Sequence, residues 1–118
     1  MQGHPASAKV QEAACKALQY LACNADNQVK VAAEGGIGAI LGAMQGHPAS
    51  TKVQVAACDA LYNLVANADN QVKIAAEGGI GAILGAIQGH PASEEVQEAA
   101  CKALRNLAGN DDYEVSPS

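Results

Sequence analysis

The chain has 118 residues, a length typical of a single domain, and 49% of them are apolar. Its formal charge is −5 at pH 7, from 12 acidic and seven basic residues. This balance argues against nucleic acid binding, because neutralising phosphates needs clustered lysine or arginine. No run approaches the ~18 apolar residues of a membrane span, and residues 1–20 lack the apolar segment of a signal peptide. We therefore expect a cytoplasmic protein without a nucleic acid or membrane partner.

The sequence repeats itself with a period of 43 residues. The motif "GHPAS" begins at residues 3, 46 and 89, and Cys15, Cys58 and Cys101 have the same spacing. Residues 1–43 and 44–86 differ at only eight positions. The tail "NDDYEV" continues the register of the two "NADNQV" segments. Such self-similarity is typical of proteins built from stacked repeats.

The first predicted element is a long amphipathic helix, "SAKVQEAACKALQYLAC" (7–23). Its apolar residues recur at the i, i+3, i+4 spacing of a helix with one buried face. That face consists of Val10, Ala13, Ala14, Ala17, Leu18 and Leu21. Ser7 is the expected N-cap, since its side chain can accept a hydrogen bond from the first turn.

Two shorter helices follow in the repeat. The segment "DNQVKVAAEGG" (26–36) predicts a short helix that begins at Asp26 and ends at the Gly-Gly pair. The segment "IGAILGAM" (37–44) predicts a further helix, which ends before Pro48 because proline cannot continue it.

Gly42 and Gly85 lie inside the second of these shorter helices. Each costs about 1 kcal/mol relative to alanine, and the close approach of a neighbouring helix would explain both. No stretch of the sequence alternates between apolar and polar residues with a period of two, so we predict no sheet. The predicted fold class is all-α.

Three helices in 43 residues, the Gly-Gly break and the ending A-L-x-N-L resemble the armadillo repeat. The matching segments are "NQVKVAAEGGIGAILGAM" (27–44), "KVQVAACDALYNL" (52–64) and "EVQEAACKALRNL" (95–107). The resemblance implies a right-handed α-solenoid of three-helix repeats of about 43 residues each. A two-helix HEAT array is the nearest alternative, and it would not need the Gly-Gly break.

The resemblance divides the chain into four parts. Residues 1–23 would be the orphan third helix of a first repeat. Residues 24–66 and 67–109 would be complete repeats, and 110–118 the truncated start of a next one. The near-identity of the repeats indicates a designed or reconstructed protein, with a fragment of a longer natural protein as the alternative.

The histidines of the three GHPAS motifs, His4, His47 and His90, are not predicted to bind metal. Equivalent residues of stacked helices lie about 8–10 Å apart, whereas each zinc ligand lies about 2.0–2.1 Å from the metal. We interpret them as structural loop residues. No nucleophile with a suitable base stands out either. We therefore predict no catalytic residue, no metal, no cofactor and no enzymatic activity.

The cysteines receive a similar interpretation. Cys15, Cys58 and Cys101 share one helical phase, and we expect them to be small buried hydrophobes that face the adjacent repeat. Their spacing is too large for bridging within one chain. Cys23 has Ala66 as its equivalent, and we expect an exposed thiol through which oxidative dimers could form.

The differences between the repeats concentrate on one face of the long helix. Seven of the eight differences fall on that helix, at positions 8, 12, 16, 19, 20, 22 and 23. Positions 12, 16, 19, 20 and 23 share one arc, opposite the apolar face. Because the solvent faces of the shorter helices barely differ, we predict that this arc is a functional surface.

In the armadillo family the third helices line a concave groove that binds extended peptides, and the resemblance implies that this arc is the groove. Asn63 and Asn106 match the family's asparagine that holds the peptide main chain, since an amide offers both a donor and an acceptor. The candidate groove residues are Lys16, Gln19, Tyr20, Asp59, Tyr62, Asn63, Lys102, Arg105 and Asn106.

Two departures from the family pattern bear on the ligand. Tyr20 stands where the first long helix would have the asparagine. The usual tryptophan four residues earlier is replaced by Lys16, Asp59 and Lys102, which argues against a preference for basic nuclear-localisation peptides. Because Asp59 lies between two lysines, we expect a charge ladder across the repeats, worth about 0–1 kcal/mol per exposed pair.

The leading functional prediction is a non-enzymatic protein–protein interaction module that binds an extended peptide or protein segment in this groove. The alternative is a self-associating structural building block with no native ligand. A solenoid needs polar caps at its ends, and we recognise none in this sequence. We therefore also expect a homo-oligomer through uncapped ends, by end-to-end stacking or by exchange of a terminal helix.

Overall fold

The structure is a computed structural model that describes residues 7–108, and within that range it contains seven α-helices and no strand. The helices are α1 (Ala8–Leu21), α2 (Ala25–Ala33), α3 (Gly36–Gly46), α4 (Thr51–Leu64), α5 (Ala68–Ala76), α6 (Gly79–Gly89) and α7 (Glu94–Ala108). The predicted all-α class is therefore confirmed, while the handedness and the repeat length stay predictions. His4 and the tail 110–118 lie outside the described residues.

The three long helices form a row. α1 packs beside α4, and α4 packs beside α7. The shorter helices accompany them as triplets, in which α3 packs on α4 and α6 packs on α7. The faces of the long helices that the shorter ones leave uncovered therefore lie next to one another.

None of these seven helices combines the length and the hydropathy that a membrane crossing would require.

Side-chain caps set the starts of the long helices and of α2 and α5. The three long helices follow serines whose Oγ accepts a backbone N–H three residues on, at 3.2 Å: Ser7, Ser50 and Ser93. The prediction that α2 begins at Asp26 is wrong by one residue, because Asn24 caps it from outside. The Oδ1 atom of Asn24 accepts the N–H of Asn27 at 3.1 Å.

The Gly-Gly pair separates the two shorter helices for two different reasons. Gly35 has φ +88°, a left-handed conformation that side chains disfavour. A Cβ atom on Gly36 would lie 2.7 Å from the carbonyl oxygen of Val31, so the second position has no room for a side chain. The predicted close approach at Gly42 and Gly85 is wrong, because a Cβ atom there would meet nothing within 4 Å.

The core lies between the row of long helices and the shorter helices. Its largest fully buried side chains come from both triplets: Ile37, Ile40, Leu61, Leu64, Ile74 and Ile83. Burying each such side chain contributes about 1.5–3 kcal/mol. The predicted apolar face of α1 does not belong to this core throughout. Val10 is 38% exposed and Leu21 48%, because no shorter helices precede α1 in the described range.

Candidate functional site

The nine candidate groove residues lie on the three long helices, three on each. They are Lys16, Gln19 and Tyr20 on α1, Asp59, Tyr62 and Asn63 on α4, and Lys102, Arg105 and Asn106 on α7. All nine are at least partly exposed. Because α1, α4 and α7 lie side by side, these positions repeat across the row at equivalent places.

Two adjoining depressions run across this surface. The first, of about 370 Å³, includes Lys16 and Gln19 of α1 and Asp59 of α4 in its lining. The second, of about 160 Å³, includes Asp59 and Lys102 of α7. Val55 lines both depressions, so they form one continuous strip over the middle helix.

The strip also contains residues that the sequence analysis did not assign to it. Glu12 lines the first depression, Val55 lines both, and Glu98 lines the second. These three occupy equivalent positions, one helical turn before Lys16 and its counterparts. A signal for them was present, because this position differs between repeats and falls within the variable arc. Glu95 and Lys52, from the helix starts, complete the charged rim.

Tyr62 and Lys102 meet across the boundary between α4 and α7. The Nζ atom of Lys102 lies 5.1 Å from the centre of the Tyr62 ring. Such a cation–π contact at an exposed site is worth about 0.5–1 kcal/mol. Lys102 lines the second depression, and the contact places the Tyr62 ring beside that lysine. Tyr20, by contrast, is 70% exposed.

Asn63 joins α4 to α1. Its Nδ2 atom donates to the backbone carbonyl of Gln19 at 2.9 Å and lies 3.7 Å from the Sγ atom of Cys23. The amide N–H groups of Asn63 are therefore directed at the last turn of α1, where backbone carbonyls lack helical partners. Its amide oxygen is the remaining hydrogen-bonding group of this side chain. Asn106, the equivalent residue on α7, is half-exposed and makes no such bond within residues 7–108.

The predicted charge ladder does not form as ion pairs within residues 7–108, since neither Lys16 nor Lys102 makes an ion pair with Asp59. Lys16 pairs with Glu12 of its own helix, with 3.2 Å between Nζ and Oε2, instead of reaching Asp59. Burial raises the pKa of the Asp59 carboxyl, Lys102 opposes that rise, and the negative charges of Glu95 and Glu98 add to it. The local field at Asp59 is thus set mainly by burial and by residues of α7.

The histidine motif has a structural contact. The Nε2 atom of His90 lies 2.8 Å from the backbone carbonyl oxygen of Pro48, one triplet earlier. This bond ties the loop before α7 to the loop before α4. Within residues 7–108, no group of three or more His, Cys, Asp or Glu side chains is arranged to hold a metal ion.

The cysteines divide into two classes. Cys15 and Cys58 are fully buried between the long helices, and burial raises their thiol pKa values to about 11 and about 12. Cys101 is exposed, so its predicted burial is wrong. The reason is that no helix packs on the outer side of α7 in the described range. Cys23 is exposed as predicted, and its equivalent in the next repeat, Ala66, is exposed as well.

Comparison with known proteins gives one match. The family model of the armadillo/beta-catenin-like repeat matches residues 67–109, a range that includes all of α5, α6 and α7. A search of curated proteins found no match, and neither did a search of solved structures. The match agrees with the resemblance seen in the sequence: residues 67–109 are similar to an armadillo-type repeat.

Proposed function

We propose that the row formed by α1, α4 and α7 is a non-enzymatic interaction surface that binds an extended peptide. The armadillo-type repeat supports an interaction module in general. The observation that carries the finer proposal is the continuous strip across the three long helices. Six of the nine candidate residues are joined there by shared depressions or direct contacts: Lys16, Gln19, Asp59, Tyr62, Asn63 and Lys102.

The polar groups of the strip suit an extended main chain. A peptide that crosses the long helices presents N–H and C=O groups at intervals, and an exposed amide can pair with both. Asn106 offers a donor and an acceptor, whereas Asn63 offers its oxygen because its nitrogen is bonded to α1. The two depressions then receive side chains of the ligand, at positions set by the spacing of the helices.

The proposal is tested with a library of random short peptides displayed on phage and selected on the immobilised chain. Recovered peptides are synthesised with a fluorescent label, and their affinities are measured by anisotropy. Asn106→Ala is expected to weaken binding about tenfold, which corresponds to the loss of about 1.4 kcal/mol. Gln88→Ala is the matched control, because it removes an exposed amide from α6, outside the strip.

Two results would contradict the proposal. One is a selection that enriches no peptide above the background of an unrelated helical protein. The other is a set of recovered peptides whose affinities fall equally for Asn106→Ala and Gln88→Ala, since that would place the ligand elsewhere on the molecule.

A further inference from the structure

The outer side of α1 is apolar and open. Ala17 is exposed and Leu21 is 48% exposed, whereas their equivalents on α4, Ala60 and Leu64, are both fully buried. The same residue types at the same helical positions thus differ only in whether further helices lie before them. This side of α1 is built as an interface.

The opposite end of the described structure is open in a complementary way. Ile80 and Leu84 of α6 are 43% and 42% exposed, although the equivalent residues of α3 are almost fully buried. On α7, Cys101 is exposed, whereas its equivalent Cys58 is fully buried where α7 packs on α4. These residues are buried wherever a following helix covers them.

The chain itself shows which surface covers each side. α4 lies between α1 and α7, so one of its sides receives the preceding long helix and the other receives the following one. On α1 the side that would receive a preceding long helix is open. On α7 the side that would receive a following long helix is open. The two open sides are therefore the two halves of a contact that occurs twice within the chain.

We propose that a second copy of this chain fills the open position beside α7, with α1 of one copy packed against α7 of the next. The contact is head-to-tail, because the two surfaces differ. A twofold pairing of α1 with α1 would leave Cys101 of α7 uncovered. A head-to-tail contact that does not close produces open chains of copies. It also continues the row of long helices, and with it the candidate groove, from one copy to the next.

Two blocking variants test this geometry. Ala17→Glu places a carboxylate on the open side of α1, and Cys101→Glu places one on the open side of α7. Both positions are exposed within a single copy, so folding is retained. Val29→Glu is the control, because Val29 is 54% exposed and its equivalent Val72 is also exposed next to its neighbours. Masses are measured by sedimentation velocity over a wide concentration range in reducing buffer.

The unmodified chain and Val29→Glu are expected to gain mass with concentration, while each blocking variant alone stays monomeric. An equimolar mixture of the two blocking variants should give dimers and nothing larger, because each retains one of the two complementary sides.

Three results would overturn the proposal. They are an unmodified chain that is monomeric throughout, a Cys101→Glu variant that still dimerises alone, and a mixture that stays monomeric although the unmodified chain assembles. Circular dichroism checks helical content, and Ala17→Arg with Cys101→Arg replaces the pair if a glutamate variant is less helical.

Discussion

At the scale of the residue, two glycines of the repeat, Gly79 and Gly42, have different surroundings and so affect stability differently. Gly79 abuts the backbone of Ile74, so a Cβ atom would lie 2.7 Å from its carbonyl oxygen. Gly42 lies in a helix with open space around it. The first glycine is required by packing, and the second only weakens its helix.

We expect opposite effects from the same substitution at these two positions. Gly42→Ala should raise the free energy of unfolding by about 1 kcal/mol, because alanine is the better helix former. Gly79→Ala should lower it by about 1–3 kcal/mol, the usual cost of overpacking. Chemical denaturation followed by circular dichroism measures both. A loss of stability at Gly42 would show that a neighbouring group approaches it after all.

The buried thiols make stability depend on pH above neutrality. The pKa of Cys15 is raised from 9.0 to about 11, because burial disfavours the thiolate. Between these values the unfolded chain releases the proton and the folded chain keeps it, so stability falls as pH rises. Below pH 9 both states are protonated and the effect vanishes.

Cys15→Ala should remove part of this dependence. From pH 9 to about 11, the unmodified chain should lose about 1.4 kcal/mol more per pH unit than the variant. Denaturation midpoints at several pH values supply the measurement. Cys23→Ala is the control, because Cys23 is exposed in the folded chain. Parallel curves for the unmodified chain and Cys15→Ala would contradict the burial argument.

At the scale of the element, glutamine side chains connect the end of one helix to the start of another. The Nε2 atom of Gln97 in α7 donates to the carbonyls of Ile87 and His90, both at 2.9 Å. Gln54 in α4 makes the equivalent bonds to the end of α3. Each amide thus supplies a donor at the end of the preceding helix, where backbone carbonyls lack helical partners.

Gln97→Leu should lower the free energy of unfolding by about 1–3 kcal/mol. The leucine keeps the apolar contacts of the stem but removes the donor to the carbonyl of Ile87, whereas the carbonyl of His90 keeps the N–H of Ser93. Gln88→Leu, on the exposed face of α6, provides the comparison, and thermal or chemical denaturation reads out both. Equal stability of the two variants would mean that water replaces the amide at no cost.

The sequence predicted those features of the helices that are caused by residues close together in the chain. The serine cap at Ser7 and the helix end at Gly35 follow from residues a few positions apart, and both were predicted. Contacts across helices were harder. Lys16 could pair with Glu12 one turn away or with Asp59 on the next helix, and the structure has the pair within the helix.

The same limit applies to the candidate site. The candidate groove residues were assigned to one face of the long helices correctly, because helical periodicity alone decides which residues share a face. The bond from Asn63 to the carbonyl of Gln19 was not predictable, since it depends on the distance between α1 and α4. The exposure of Val10 was missed for a similar reason: its spacing is that of a core residue, and only the packing shows that nothing covers it.

At the scale of the whole molecule, burial is uneven along the row of long helices. α4 buries eight residues between its neighbours, whereas α1 buries two within the helix, Gln11 and Cys15. In an array whose elements contact only their neighbours, stability is approximately a sum of local and interface contributions. The middle of the chain should therefore be the most stable part, and α1 should open first.

A pair of leucine substitutions tests this gradient. Leu64→Ala, at a fully buried position of α4, should lower the free energy of unfolding by about 2–5 kcal/mol. Leu21→Ala, at the equivalent position of α1, should lower it by about 1 kcal/mol or less, because that side chain is already 48% exposed. Both are made in an Ala17→Glu background so that a second copy does not cover α1, and hydrogen exchange assigns the opening to each helix. Losses of similar size at the two positions would mean that α1 is covered as completely as α4, which would contradict the open side on which the assembly proposal depends.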